Sequence, residues 1–262
     1  MLLLSRNAFA TSLVACVCIL GVVLIQFPQL QKLINSKKSA SLETLEKEIK
    51  SEKLSLNFLQ KMPSFGYDNF IGDLIYLNFL QYFGDDEVRD KTGYSLSPEY
   101  FEVIIERDPR FLAVYRSLSI STSLYAAMPE RAIALSEKGL KSLSPWIPEK
   151  SYYVWRYKGI DELLFLGNAQ AAQKSFATAA NWASNFSDAE SQLIANTSQR
   201  TAEFLSRNPN SKYAQISTWA MVLNYQVDQR TRKRAIRAIE ALGGKVITTP
   251  EGTNKIVFPP KD

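Results

Sequence analysis

From Ala8 to Phe27 the chain reads AFATSLVACVCILGVVLIQF, an apolar run of twenty residues without a charge. In a helix that length covers about 30 Å, the depth of a bilayer's hydrocarbon core. Residues 1–30 are therefore expected to form a signal-anchor transmembrane helix. A cleaved signal peptide has a shorter apolar region and small residues at its cleavage site; here Gln26, Phe27 and Pro28 end the run, which favours a retained anchor. Leu13-Val14-Ala15-Cys16 has the form of a lipoprotein box, yet the hydrophobic run continues well beyond Cys16. Arg6 precedes the run and Lys32, Lys37 and Lys38 follow it. The charge count leans toward a cytoplasmic C-terminal side, whereas the short N-terminal tail and the long following domain favour an extracytoplasmic one. The expected protein is single-pass, of bacterial inner-membrane type, with its domain outside the cytoplasm.

After the anchor the apolar period becomes helical. Residues 31–62 read as a basic flank and a solvated helical stalk, in which Ser41 can cap a helix, Glu43 and Lys47 pair one turn apart, and Leu42, Leu45 and Ile49 mark one face. Pro63 and Gly66 end it. Residues 67–83 (YDNFIGDLIYLNFLQYF) are apolar on nearly every side and are expected to be buried as a helix. A polar loop over 85–97 leads to Ser97-Pro98-Glu99, a helix start. Further helical patterns follow at 109–126, 129–143, 148–166, 169–184, 187–207 and 211–242. From Gly243 the β-branched runs either side of Pro250-Glu251-Gly252 predict a small hairpin over 243–262. The fold class expected is all-α, with a helical-repeat domain over 63–242 and this terminal hairpin.

Composition narrows the chemistry. The chain has no histidine, and its two cysteines, Cys16 and Cys18, both lie in the apolar run. Ser-His-Asp, Cys-His and His-ligated metal chemistry are thus excluded. No phosphate-binding glycine loop, dinucleotide fingerprint or nucleophile elbow occurs. No catalytic residue, metal site or cofactor is expected. Asp73 is the sharpest lone carboxylate, placed by its spacing among apolar neighbours, where Arg116 or a tyrosine hydroxyl could satisfy it. Asp161 and Glu162 are adjacent, so on a helix they point about 100° apart and make a poor catalytic pair. Arg230, Arg232, Lys233, Arg234 and Arg237 form a basic stretch in which Ile236 and Ile239 mark a buried stripe. Its alternative uses are a lipid-headgroup or nucleic-acid contact, but a net charge of +5 gives nucleic acid little support as a partner.

An internal repeat appears at an offset of 40 residues. Ala132 aligns with Ala172, Gly139 with Ala179, and Ala127, at the turn between helices, with Gly167. Small residues at these positions let two antiparallel helices approach, and Phe176 fills the space beside the next helix, where the first unit has Ser136. This pattern resembles the second helix of a tetratricopeptide repeat, although the first-helix signature is displaced, with Trp155 one place early and Arg156, Gly159, Ile160 and Leu163 following. Taken with the aromatic DLIYLNFLQYFGD helix, the chain resembles bacterial membrane-anchored tetratricopeptide-like proteins. That resemblance implies first helices lining a concave groove, with Val114, Ser117, Ser121 and Leu124 from one unit and Val154, Tyr157, Asp161 and Leu164 from the next. It implies a membrane-tethered scaffold that binds another protein, in assembly or maintenance of a membrane or envelope complex. The rival reading is an envelope enzyme using carboxylates alone, such as a glycan-cleaving one.

Overall fold

The computed structural model describes residues 6–224, 227–248 and 254–262, and the side chains of 13–29, 40–224, 227–247 and 254–262. Twelve α-helices and one antiparallel strand pair are described. Helix α1 (Arg6–Ser39) passes through Pro28, and its apolar side chains from Leu13 to Phe27 are exposed. Among the described residues no helix is long and apolar enough to cross a membrane. The anchor expected over 8–27 therefore does not stand, and with it go the transmembrane part of the fold class, the single-pass placement and the membrane as a partner. The side chains of Arg6, Lys32, Lys37 and Lys38, on which the orientation rested, lie outside the described residues.

Helix α2 (Leu42–Lys61) is capped by Ser41, whose hydroxyl accepts from the Thr44 amide at 3.2 Å. It is not a free stalk. Leu45 and Leu56 are buried, and the helix is fastened to α5 (Ser97–Arg107) by Lys53–Glu99, Gln60–Glu106 and the Tyr100 hydroxyl, which donates to Glu52. Arg107 closes the far end, donating to the carbonyl oxygens of Leu59 and Gln60. Helix α3 (Asp68–Gly84) buries Ile75, Phe79 and Tyr82 against α5, with the Phe79 and Phe101 rings 4.6 Å apart. Its other face is open: Phe70, Leu74, Leu77 and Leu80 are exposed, and so is Asp73. Burial on all sides thus fails for α3, and no buried carboxylate exists there. Within the expected polar loop, Asp86–Thr92 forms helix α4.

Beyond α5 the chain runs in antiparallel pairs. Helix α6 (Ala113–Leu118) continues into a π-helical segment, Ser119–Tyr125, and pairs with α7 (Pro129–Leu140); α8 (Tyr152–Leu164) pairs with α9 (Ala169–Ala183). Helix α10 (Ala189–Arg207) packs on α9, and α11 (Lys212–Leu223) packs on α12 (Gln229–Ala241). From α8 to α12 this is helical-repeat-like packing. The small positions of the 40-residue offset sit at the crossings: Ala132, Ala172 and Ala179 have no exposed surface. A Cβ on Gly139 would lie 1.8 Å from the Tyr115 hydroxyl, and one on Gly159 would lie 3.2 Å from the Phe176 ring. The aligned turn residues share a backbone state as well, since Ala127 and Gly167 have φ of 60° and 62°. Strands β1 (Lys245–Thr248) and β2 (Asn254–Val257) form the expected C-terminal hairpin, with Lys245 opposite Val257; its proposed turn, Pro250 to Gly252, lies outside the described residues.

Candidate functional site

The 40-residue period also governs which polar groups meet. Tyr76 on α3 bonds Ser117 on α6 at 2.9 Å, and Ser119 and Ser123 of the π-helical segment bond Asp161 on α8. Tyr152 on α8 bonds Ser191 on α10 at 2.9 Å, and Arg156 reaches Thr197 and Ser198, both at 3.1 Å. Each bond links one helix to its counterpart about 40 residues on. Helices α3, α6, α8 and α10 are thereby joined side by side by hydroxyl and carboxylate bridges.

An open cleft of about 590 Å³ lies across three of these helices. Tyr76 comes from α3; Leu112, Ala113, Arg116, Ser117 and Ile120 come from α6 and its approaches; Glu149, Lys150, Tyr153 and Tyr157 come from α8 and the loop before it. The Tyr153 and Tyr157 rings are nearly parallel, 5.9 Å apart at 19°, because positions four apart stack on one helix face. Tyr76 meets Phe111 edge to face at 5.2 Å, closing the opposite wall. Burial pushes the Tyr157 hydroxyl's pKa up, and the guanidiniums of Arg116 and Arg156 pull against it. Lys150 is neutralised by Glu190, which also accepts from the Tyr153 hydroxyl at 2.6 Å. Arg116 has no hydrogen-bond or ion-pair partner for its guanidinium among the described residues.

Behind the cleft wall lies a buried polar node. Asp161 is 1% exposed; Ser119 donates to one carboxylate oxygen at 2.7 Å and Ser123 to the other at 2.9 Å. Burial is the dominant influence and raises its pKa to about 7; the two hydroxyls oppose it and Glu162 adds to it. Glu162 points elsewhere, to the buried Lys158 and to Ser175, whose hydroxyl donates at 2.6 Å. The two adjacent carboxylates thus serve separate partners, as their angular separation requires. Asp161 is sealed from the cleft, so in this conformation neither oxygen can touch a ligand. The two serines of the node stand four residues apart on the π-helical segment and so share the face turned to Asp161. The same segment also carries the carbonyls of Ser123 and Leu124 to Arg234 on α12, whose guanidinium stands 5.2 Å over the Phe165 ring.

Of the groove positions implied by the tetratricopeptide resemblance, Ser117 and Tyr157 line the cleft. Leu124 is half-buried, while Val114, Ser121, Val154, Asp161 and Leu164 are buried. Alongside Ser117 and Tyr157 the lining uses Ala113, Arg116 and Ile120, each one residue before an expected position of the first unit, and Tyr153, one before Val154. The basic stretch is largely consumed by structure. Arg230 donates to the Asp90 carbonyl and Arg232 to Asn254, while Arg234 holds the π-helical carbonyls; Lys233 and Arg237 remain exposed. Ala235 and Ile239 form the buried stripe, with Ile236 partly covered beside them. Among the described residues no group of three or more His, Cys, Asp or Glu could hold a metal ion.

No family model matches the chain, and neither a curated protein nor a solved structure matches it. The resemblance to membrane-anchored tetratricopeptide-like proteins gains no support from those comparisons, and the lack of a membrane-crossing helix among the described residues removes the feature that tied it to that group. What the structure defines is an all-α protein of helical-repeat-like packing with an aromatic cleft across successive helices.

Proposed function

We propose that this protein is a helical-repeat scaffold that binds another protein through the cleft across α3, α6 and α8. The observation that carries the reading is the lining itself. Three tyrosines and an arginine in one open concavity are the residue types that dominate binding energy at protein interfaces, since they bring large amphipathic area at small entropic cost. The bridges between counterpart helices give the cleft rigid walls, which lowers the ordering cost of binding.

The test is co-purification from native cells of the parent chain, of Tyr153→Ala/Tyr157→Ala, and of Lys233→Ala/Arg237→Ala on the exposed face of α12. Truncating an interface aromatic costs roughly 2 kcal/mol or more, about a thirtyfold loss of affinity. A partner recovered with the parent and the α12 variant, and lost with a tyrosine variant that remains folded by circular dichroism, supports the cleft. A partner lost only with the α12 variant moves binding to the basic helix.

A further inference from the structure

We infer that the cleft takes a peptide segment bearing a carboxylate side chain beside a large apolar one, with the carboxylate paired to Arg116. This rests on the cleft being a protein-binding site and specifies the chemistry it selects. The charges in and around the cleft are unevenly matched. Lys150 already has Glu190, so it contributes little net attraction. Arg116 and Arg156 both act on Tyr157, and neither is paired with a carboxylate: Arg156 is held by two hydroxyls, and Arg116 has no side-chain partner among the described residues. The surroundings of Tyr157 therefore carry uncompensated positive charge. The acid in the lining, Glu149, lies on the loop preceding α8, and no ion pair joins it to Arg116 among the described residues.

Geometry adds the second half of the specificity. A guanidinium forms its strongest hydrogen bonds with a carboxylate, in a bidentate fork. Arg116 stands one helical turn before Ile120 on the α6 side of the cleft, and the stacked pair of Tyr153 and Tyr157 lines the same cleft from α8. A carboxylate on Arg116 consequently leaves the next side chain of a bound segment over aromatic and aliphatic surface. A lysine or arginine in the same place would meet like charge, which makes Arg116 a source of rejection as well as attraction.

The experiment is selection of random dodecapeptides displayed on phage against the immobilised full chain, followed by affinity measurement of synthetic versions of the enriched sequences. The expected sequences carry Asp or Glu within a few residues of Leu, Phe or Trp. Their binding should weaken at least tenfold with Arg116→Gln, and likewise with Tyr157→Ala, weaken in high salt, and be unchanged with Arg237→Gln. Arg116 is exposed and makes no side-chain bond that its replacement would break, so Arg116→Gln should melt with the parent. Enriched peptides that need Tyr157 but are neutral or basic, or are indifferent to Arg116→Gln, would overturn the acidic preference and leave the cleft as a protein-binding site. Selection that yields no sequence dependent on Tyr153, Tyr157 or Arg116 would overturn the inference and the cleft reading together.

Discussion

Replacing Asp161 with asparagine should stabilise the protein strongly at pH 8 and much less at pH 5. The folded carboxyl holds its proton up to about pH 7, whereas its ordinary value is 3.8. Between these values the folded state binds more protons than the unfolded one, so stability falls as pH rises. The contribution is fully present below about pH 4 and is lost as pH passes through 7. A rise of that size corresponds to about 4 kcal/mol. For a chain of this length that is roughly 10 °C in melting temperature. Asparagine keeps the shape and has no charge to desolvate, and its amide can both accept from and donate to the serine hydroxyls. Thermal melts of parent and Asp161→Asn from pH 5 to pH 8 should lie closest at the acid end and separate toward the alkaline end. The absence of histidine makes the reading clean, because no other side chain ordinarily titrates in that window. Parallel curves for the two proteins would show that Asp161 is charged and compensated across the whole range.

The other large effect is expected at the α6–α7 crossing. Gly139→Ala places a methyl group 1.8 Å from the Tyr115 hydroxyl oxygen and 2.6 Å from the ring carbon that bears it. Tyr115 has no exposed surface, and its hydroxyl donates to the Pro109 carbonyl at 2.6 Å, so the ring cannot swing aside without breaking that bond. Overpacking of this kind costs about 1–3 kcal/mol, and the lost hydrogen bond adds about 1 kcal/mol. A fall of roughly 10 °C in melting temperature is expected. Tyr115→Leu in the same chain should recover part of it, and a double-mutant cycle should give a coupling of at least about 1 kcal/mol. Additive effects of the two changes would place the strain somewhere other than this contact.

Much of the architecture was legible as spacing. The offset of 40 residues located the close crossings, because only small residues allow them, and Ala132, Gly139, Ala172 and Ala179 all sit where helices meet. Ser41 and the β-branched C-terminal segment were equally direct. The groove register was less so. Val114 and Val154 each stand one residue after a lining position, Ala113 and Tyr153, and a shift by one residue turns a helix about 100°, exchanging lining for core. The signal that could have separated them is chemical, since the aromatic-plus-cation set belongs to the open side and the valines to the core. For the buried node, the four-residue spacing of Ser119 and Ser123 puts them on one helix face, but nothing in the sequence says that this face meets Asp161 on α8. The run of hydroxyls Ser117, Ser119, Ser121, Thr122 and Ser123 in a helical segment was its visible trace, as such side chains compete for backbone bonds and loosen a helix. Apolar character alone also misplaced α3, whose outward face carries Phe70, Leu74 and Leu77 in the open.

The most direct test of the cleft is site-specific photo-crosslinking in living cells. A photoreactive phenylalanine analogue would be placed in turn at Tyr157 and Ile120 in the cleft and at the exposed Met221 on α11, and each adduct mapped by mass spectrometry. Binding across α3, α6 and α8 predicts adducts at 157 and 120 that join the same segment of one other polypeptide, with none at 221. Adducts to that polypeptide at 221 with none at 157 or 120 would contradict it.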